Sequence, residues 1–199
     1  MIVGMSLQET VEKCGQGSLW IDGRVTAVED HTDANGYPSV VVTLSGELLK
    51  KPAVTDHLYF GKDWIKGSPG DQVTVDVKLY GSASNRGVLR EFSVPQVGQT
   101  GIFGFTGPGP GTANSGYCGT AMHGFYEETT GSDGGKAYRA PRGVKALGLK
   151  SLQLSGDSPA AKSLSTLQNV TSEATLPKGD FKAVLTQVIN QAYPGYGVK

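Results

Sequence analysis

Between Gln72 and Leu79 the side chains alternate strictly, Val73, Val75, Val77 and Leu79 against Gln72, Thr74, Asp76 and Lys78. A period of two over eight residues is the signature of a strand with one face buried and one face wet. The turn residues Lys66-Gly67-Ser68-Pro69-Gly70 precede it, and an aromatic, half-apolar segment, Leu58–Trp64, precedes them. Such a strand cannot stand alone, because its apolar row needs a second layer and its backbone needs neighbours.

The flanking sequence supplies candidate neighbours. Leu19, Ile21, Val25 and Ala27 alternate with Trp20, Asp22, Arg24 and Thr26, and Gly23 falls where a curling strand needs a bulge or a close backbone approach. Asp33-Ala34-Asn35-Gly36 tolerates the positive φ of a hairpin turn and leads into the β-branched run Ser39–Leu44. Tyr59 and Phe60 mark a third strand, and Val88, Arg90, Phe92 and Val94 a fifth, ended by Pro95. Five short strands in this span predict a mainly β fold with a small, OB-like Greek-key barrel at 18–97. An N-terminal segment, 1–17, precedes it, with a short helix at Leu7–Lys13 closed by Gly15 and Gly17.

Beyond the barrel, residues 98–142 read as a glycine-rich loop. Gly98, Gly101, Gly104 and Gly107 recur every third residue before Pro108-Gly109-Pro110-Gly111, a run too short for a collagen helix. Residues 143–199 read as a small α/β appendage. Val144–Leu154 is apolar with a change of phase, and Ser158-Pro159 opens a helix through Leu164 and Leu167. After Asp180 as N-cap, Phe181, Val184, Leu185, Val188, Ile189 and Ala192 form one helical stripe ended by Pro194.

The 18 basic and 18 acidic residues of this 199-residue chain cancel, so binding to nucleic acid or to an anionic membrane has to rest on a local patch. No run approaches the ~20 apolar residues of a membrane span. Met1–Met5 carries neither a basic n-region nor a long apolar h-region, so a cytoplasmic location is expected. Cys14 and Cys118 form no CxxC spacing and are expected as two reduced, partly buried thiols, with a disulfide between them as the other option.

Ile21-Asp22-Gly23-Arg24-Val25 as opening strand, Tyr59-Phe60-Gly61-Lys62 as third strand and exit, and Gly70-Asp71-Gln72-Val73 to Leu79 as fourth resemble single-stranded-DNA-binding proteins of the OB-fold family over about 18–97. The resemblance implies non-enzymatic binding of single-stranded nucleic acid, as in phage or mobile-element replication. That task needs aromatic faces for stacking bases and cations along the phosphates. Trp20, Arg24, Tyr37, Tyr59, Lys62, Trp64, Lys78, Arg86 and Arg90 are the residues expected to provide them, Trp20 and Arg24 by facing outward together. The competing reading puts Tyr59, Phe60 and one tryptophan in the barrel core and leaves the lysines as a solvated rim.

His31, His57 and His123 stand apart from other ligand types, so no metal is expected, and no cofactor fingerprint occurs. Cys118 and His123 lack any local activating arrangement, which argues against catalysis. Low charge with 29 glycines also suits a self-assembling structural protein, such as a phage particle or tube component, and a homo-oligomer is expected on either reading. That alternative moves the expected location to the virion.

Overall fold

The computed structural model describes residues 5–32, 36, 38–52, 65–80, 94–106, 116–118, 125–139, 144–145, 154, 159–168 and 175–199. Its strands are β1 (Met5–Ser6), β2 (Leu19–Thr32), β3 (Pro38–Lys50), β4 (Gln72–Tyr80), β5 (Thr100–Thr106), β6 (Gly116–Tyr117), β7 (Tyr126–Thr130), β8 (Lys136–Arg139), β9 (Val144–Lys145) and β10 (Thr175–Pro177). The helices are α1 (Leu7–Cys14), α2 (Pro159–Gln168) and α3 (Lys178–Ala192). Seven strands form one antiparallel sheet in the order β10-β8-β7-β5-β2-β3-β4, with β6 attached to the end of β5, while β1 and β9 make a separate parallel pair. The path is open from β10 to β4, so the closed barrel expected from the sequence does not form.

The alternation at 72–79 appears as anticipated except at Lys78, which is expected on the wet face and is buried. Val73, Val75, Val77 and Leu79 are buried, while Gln72, Thr74 and Asp76 are exposed. They join Leu19, Ile21, Val25, Val40, Val42, Leu44 and Leu48 in a core on one face of the sheet. Phe103, Phe105 and Phe125 extend that core, with the Phe103 and Phe125 rings stacked 4.2 Å apart. Burial of each such side chain contributes about 1.5–3 kcal/mol. The opposite face carries Trp20, Leu49, Ile102, Tyr126 and Tyr138 beneath α1 and α3, with Leu164 and Leu167 from α2.

Three glycines in register make the close strand approach possible. Gly23 of β2 lies opposite Gly46 of β3 and Gly101 of β5. A Cβ on Gly46 would collide with the Asp22 carbonyl and the Gly23 Cα, and one on Gly101 with the Tyr126 carbonyl. Irregularities in the β2–β3 register flank this row, between Trp20 and Ile21 and between Val25 and Ala27. The second one corrects the expected phase of β2. Ala27 sits opposite Thr43, off the core face, and Val28 packs against the core instead.

Larger corrections concern the second half of the chain. The segment read as a glycine-rich loop contains β5, which lies between β2 and β7 in the middle of the sheet. Its glycines are there for clearance: a Cβ on Gly104 would lie 2.7 Å from the Trp20 ring. Nor is 143–199 an appendage, because β10 extends the main sheet and α3 covers it.

The helices follow their sequence signals closely. Ser6 caps α1 in a reciprocal capping box with Glu9, and the chain leaves the helix at Gly15 with φ of 86°. Helix α3 starts at Lys178, two residues before the expected cap at Asp180, and buries Phe181, Val184, Leu185, Val188 and Ile189 as its stripe requires. The expected third strand at Tyr59–Phe60 and fifth at Val88–Val94 lie outside the described residues, apart from Val94, which packs against the core.

Candidate functional site

Of the nine residues expected to meet nucleic acid, Trp20, Arg24 and Lys78 are described; Tyr37, Tyr59, Lys62, Trp64, Arg86 and Arg90 lie outside the described residues. Trp20 and Arg24 do share one face of β2, but that face is not uniformly open. Trp20 is 1% exposed beneath the helices, and its indole N–H has no hydrogen-bond partner among the described residues. It is a core residue, so base stacking on it is not available in this fold. Lys78 is also buried, at 5%. Only Arg24 reaches solvent, in a row Thr100–Arg24–Ser45–Thr74 across four strands. The Ser45 and Thr74 hydroxyls are 2.9 Å apart, and Thr43 donates to Asp76 at 2.7 Å. Among the described residues this strip is rich in hydroxyls and carries one cation and no aromatic ring.

Where α3 meets the sheet, charges are paired rather than offered. Lys182 bridges Asp22 at 2.9 Å and Glu47, and the Tyr138 hydroxyl donates to Asp22 at 3.2 Å. Burial pulls the Lys182 ammonium down, but hydrogen bonds and charge from Glu47 and Asp22 more than offset it and hold its pKa above the ordinary lysine value. Lys178 bonds Glu128 at 2.8 Å, and that contact leads in holding the Glu128 carboxyl below its usual range. Beside this seam runs an open groove of about 500 Å³ lined by Ala183, Thr186, Gln187, Asn190 and Val198. Asn190 donates its side-chain amide to the Val198 carbonyl at 2.6 Å, so that amide is already engaged.

A second polar cluster lies at the far end of β3. Lys50 is fully buried, donates to the carbonyls of Gln16 and Ser18 at 2.7 and 2.8 Å, and sits 4.6 Å above the Tyr193 ring. The Tyr193 hydroxyl accepts from the Gly15 N–H and contacts the Val11 and Glu12 carbonyls at 2.8 and 2.9 Å. The end of α1, the end of β3 and the end of α3 are thereby tied together. Burial pulls the Lys50 ammonium down to about 8. The amine is buried and its hydrogen-bond partners among the described residues are backbone carbonyls, which is the arrangement of a structural tie.

Two further features depart from the main expectation. Cys14 and Cys118 form a disulfide across a separation of 104 residues, with their Cα atoms 5.1 Å apart, which corrects the expectation of reduced thiols. No spacing rule signals such a pair, since only the tertiary fold brings the end of α1 to β6. The other feature is an arm. β5 pairs with β2 only from Leu19 to Arg24, and the Gln99 and Gly98 backbones continue as far as Val25. From there β2 runs on to Thr32 paired with β3, and among the described residues no strand adjoins its outer edge. Glu29, Asp30, His31 and Thr32 are exposed along it.

Among the described residues no three His, Cys, Asp or Glu side chains gather as a metal site, and no helix is long and apolar enough to cross a membrane. No family model matches the chain, and neither does a curated protein or a solved structure.

Proposed function

We propose that this protein is a self-assembling structural subunit, of the kind that builds a particle or tube, and that the outer edge of the β2 arm is its joining surface. The arm carries the proposal. Among the described residues no strand adjoins this edge past Val25, and an edge of that kind presents backbone donors and acceptors in strand geometry, which is the arrangement that adds a strand from another chain. The disulfide supports it, because disulfides persist in oxidising surroundings, particle surfaces included, more readily than in a reducing cytoplasm. Single-stranded nucleic-acid binding has the weaker support, since Trp20 and Lys78 are buried and the open strip carries no ring among the described residues.

Sedimentation velocity from about 1 to 100 μM tests the proposal, since mass action drives a subunit into oligomers over such a range. Glu29→Lys with His31→Lys places lysines on the edge, the device by which edges resist pairing, at two exposed positions. The parent is expected to self-associate and the double variant to remain a folded monomer. A parent that stays monomeric throughout contradicts the proposal, and saturable binding of a labelled oligonucleotide at about 20 mM salt, weakening as salt rises, returns the nucleic-acid reading to first place.

A further inference from the structure

Cys14 and Cys118 both belong to the core under the helices, but among the described residues the backbone around Cys118 has fewer holds than that around Cys14. Cys14 ends α1, which is held by buried Leu7 and Val11, by Tyr193 beneath its last carbonyls, and by Lys50 on the loop that follows. Cys118 follows β6, whose hold on the sheet among the described residues is the two pairs Phe105–Tyr117 and Thr106–Gly116 and one bond from the Cys118 N–H to the Gly104 carbonyl at 2.7 Å. β6 also has a particular position. It flanks the end of β5, beyond Gly101–Ile102 where β7 pairs. A two-residue ladder cannot hold a strand against chain entropy without another constraint.

We propose that the Cys14–Cys118 disulfide is a redox-sensitive latch that keeps β6 on the end of β5, so that reduction releases β6 and uncovers that stretch of edge while α1 stays in place. The reductant class is a dithiol. Its thiolate attacks one sulfur to give a mixed disulfide, and the other cysteine leaves as a thiolate and takes up a proton. The second thiol of the reductant then displaces the remaining cysteine and closes the reductant's own disulfide. Two electrons and two protons pass to the protein in total. Both cysteines are buried, at 7% and 6% exposure, so attack requires local opening, and of the two elements β6 has the shorter ladder among the described residues. The latch does not depend on the arm being an assembly surface, because it concerns the other end of the sheet's centre.

Amide hydrogen exchange read residue by residue on the full chain tests it in three states: air-oxidised, reduced with dithiothreitol, and Cys14→Ala with Cys118→Ala. Exchange at Gly104–Thr106 and Gly116–Cys118 is expected to quicken at least about tenfold on reduction and in the double variant, with α1 and β2 still protected. Reoxidation by oxidised glutathione should restore the slow rates. Unchanged exchange at these residues after reduction overturns the latch, as does equal loss of protection in α1 and β2, which would make the disulfide a staple for the whole fold. Alkylation of two free thiols in the air-oxidised protein overturns it as well.

Discussion

The two halves of β2 belong to one strand and share one partner, β3, yet they live in opposite surroundings. Leu19–Val25 lies between β3 and β5, with Leu19 and Ile21 in one core and Trp20 in the other. Thr26–Thr32 has β3 on one side, and its last four residues are exposed. Backbone pairing to β3 is common to both, so the contrast isolates what helices and a third strand add. The covered half can tolerate little change. In the arm Val28 still packs against the core, while the exposed side chains from Glu29 to Thr32 should tolerate substitution better than any in the covered half.

The largest effect should come from the layer that covers the first half. Leu185 is fully buried in α3, and Leu185→Asp places an unpartnered charge in the core, at a cost of about 4 kcal/mol or outright unfolding. Thermal and urea denaturation should show it, and a loss below about 1 kcal/mol would mean that α3 is not docked over β2 as described.

The next effect falls on the glycine row. Gly46→Ala pushes a methyl group into the backbone of Asp22 and Gly23, neither of which can rotate away, so roughly 2–3 kcal/mol is expected. Gly17→Ala, where nothing lies within 4 Å, is the matched control and should leave the melting curve within about 0.5 kcal/mol of the parent. Equal effects would break the claim that the strands need this close approach.

A smaller effect comes from Lys50. Its folded pKa lies near 8 and its unfolded value near 10.5, so between those pH values the unfolded chain binds more protons and stability rises with pH. Tyr126 and Tyr138 have pKa values raised above 10.0, chiefly by burial, so their contribution is lost above about pH 10 as the unfolded chain ionises. Unfolding free energy should therefore climb by about 1–2 kcal/mol from pH 8 to 10 and then fall. Lys50→Met should abolish the climb, and a parent with a flat profile over that interval would show that Lys50 does not titrate there.

The smallest effects belong to the open surface. Thr74→Asp, on the exposed face of β4, should shift stability by less than about 1 kcal/mol, and the paired lysines at 29 and 31 by about 0.5 kcal/mol or less. If the arm variants instead unfold the protein, the arm is part of the core structure and the contrast between the halves of β2 disappears.

Strands with one wet face were legible from their sequence, and strands buried on both faces were not. Alternation at Val73–Leu79 and the helical stripe of Phe181–Ile189 each identify a buried face because their other face remains polar. β5 reads Thr-Gly-Ile-Phe-Gly-Phe-Thr, which has no wet face to mark its period, and its glycines imitate a spacer although they make room for Trp20 and the Tyr126 carbonyl. The site expectation failed for a related reason. Period two correctly put Trp20 and Arg24 on one face, but which part of that face α3 would cover depends on contacts some 160 residues away in the chain. The capping box at Ser6 and Glu9 was open to inspection as an S-x-x-E signal, whereas the disulfide had no local signature.

The central claim, that the second half of β2 takes a strand neighbour from another copy of the chain, is tested most directly by hydrogen exchange along β2 at two concentrations, one on each side of the self-association expected by sedimentation. The account predicts that amides in Ala27–Thr32 exchange slowly in the associated protein and at least about tenfold faster in the dilute monomer, while those in Leu19–Val25 are slow in both. Association with no change in Ala27–Thr32 would contradict it, since copies would then be joined through some other surface.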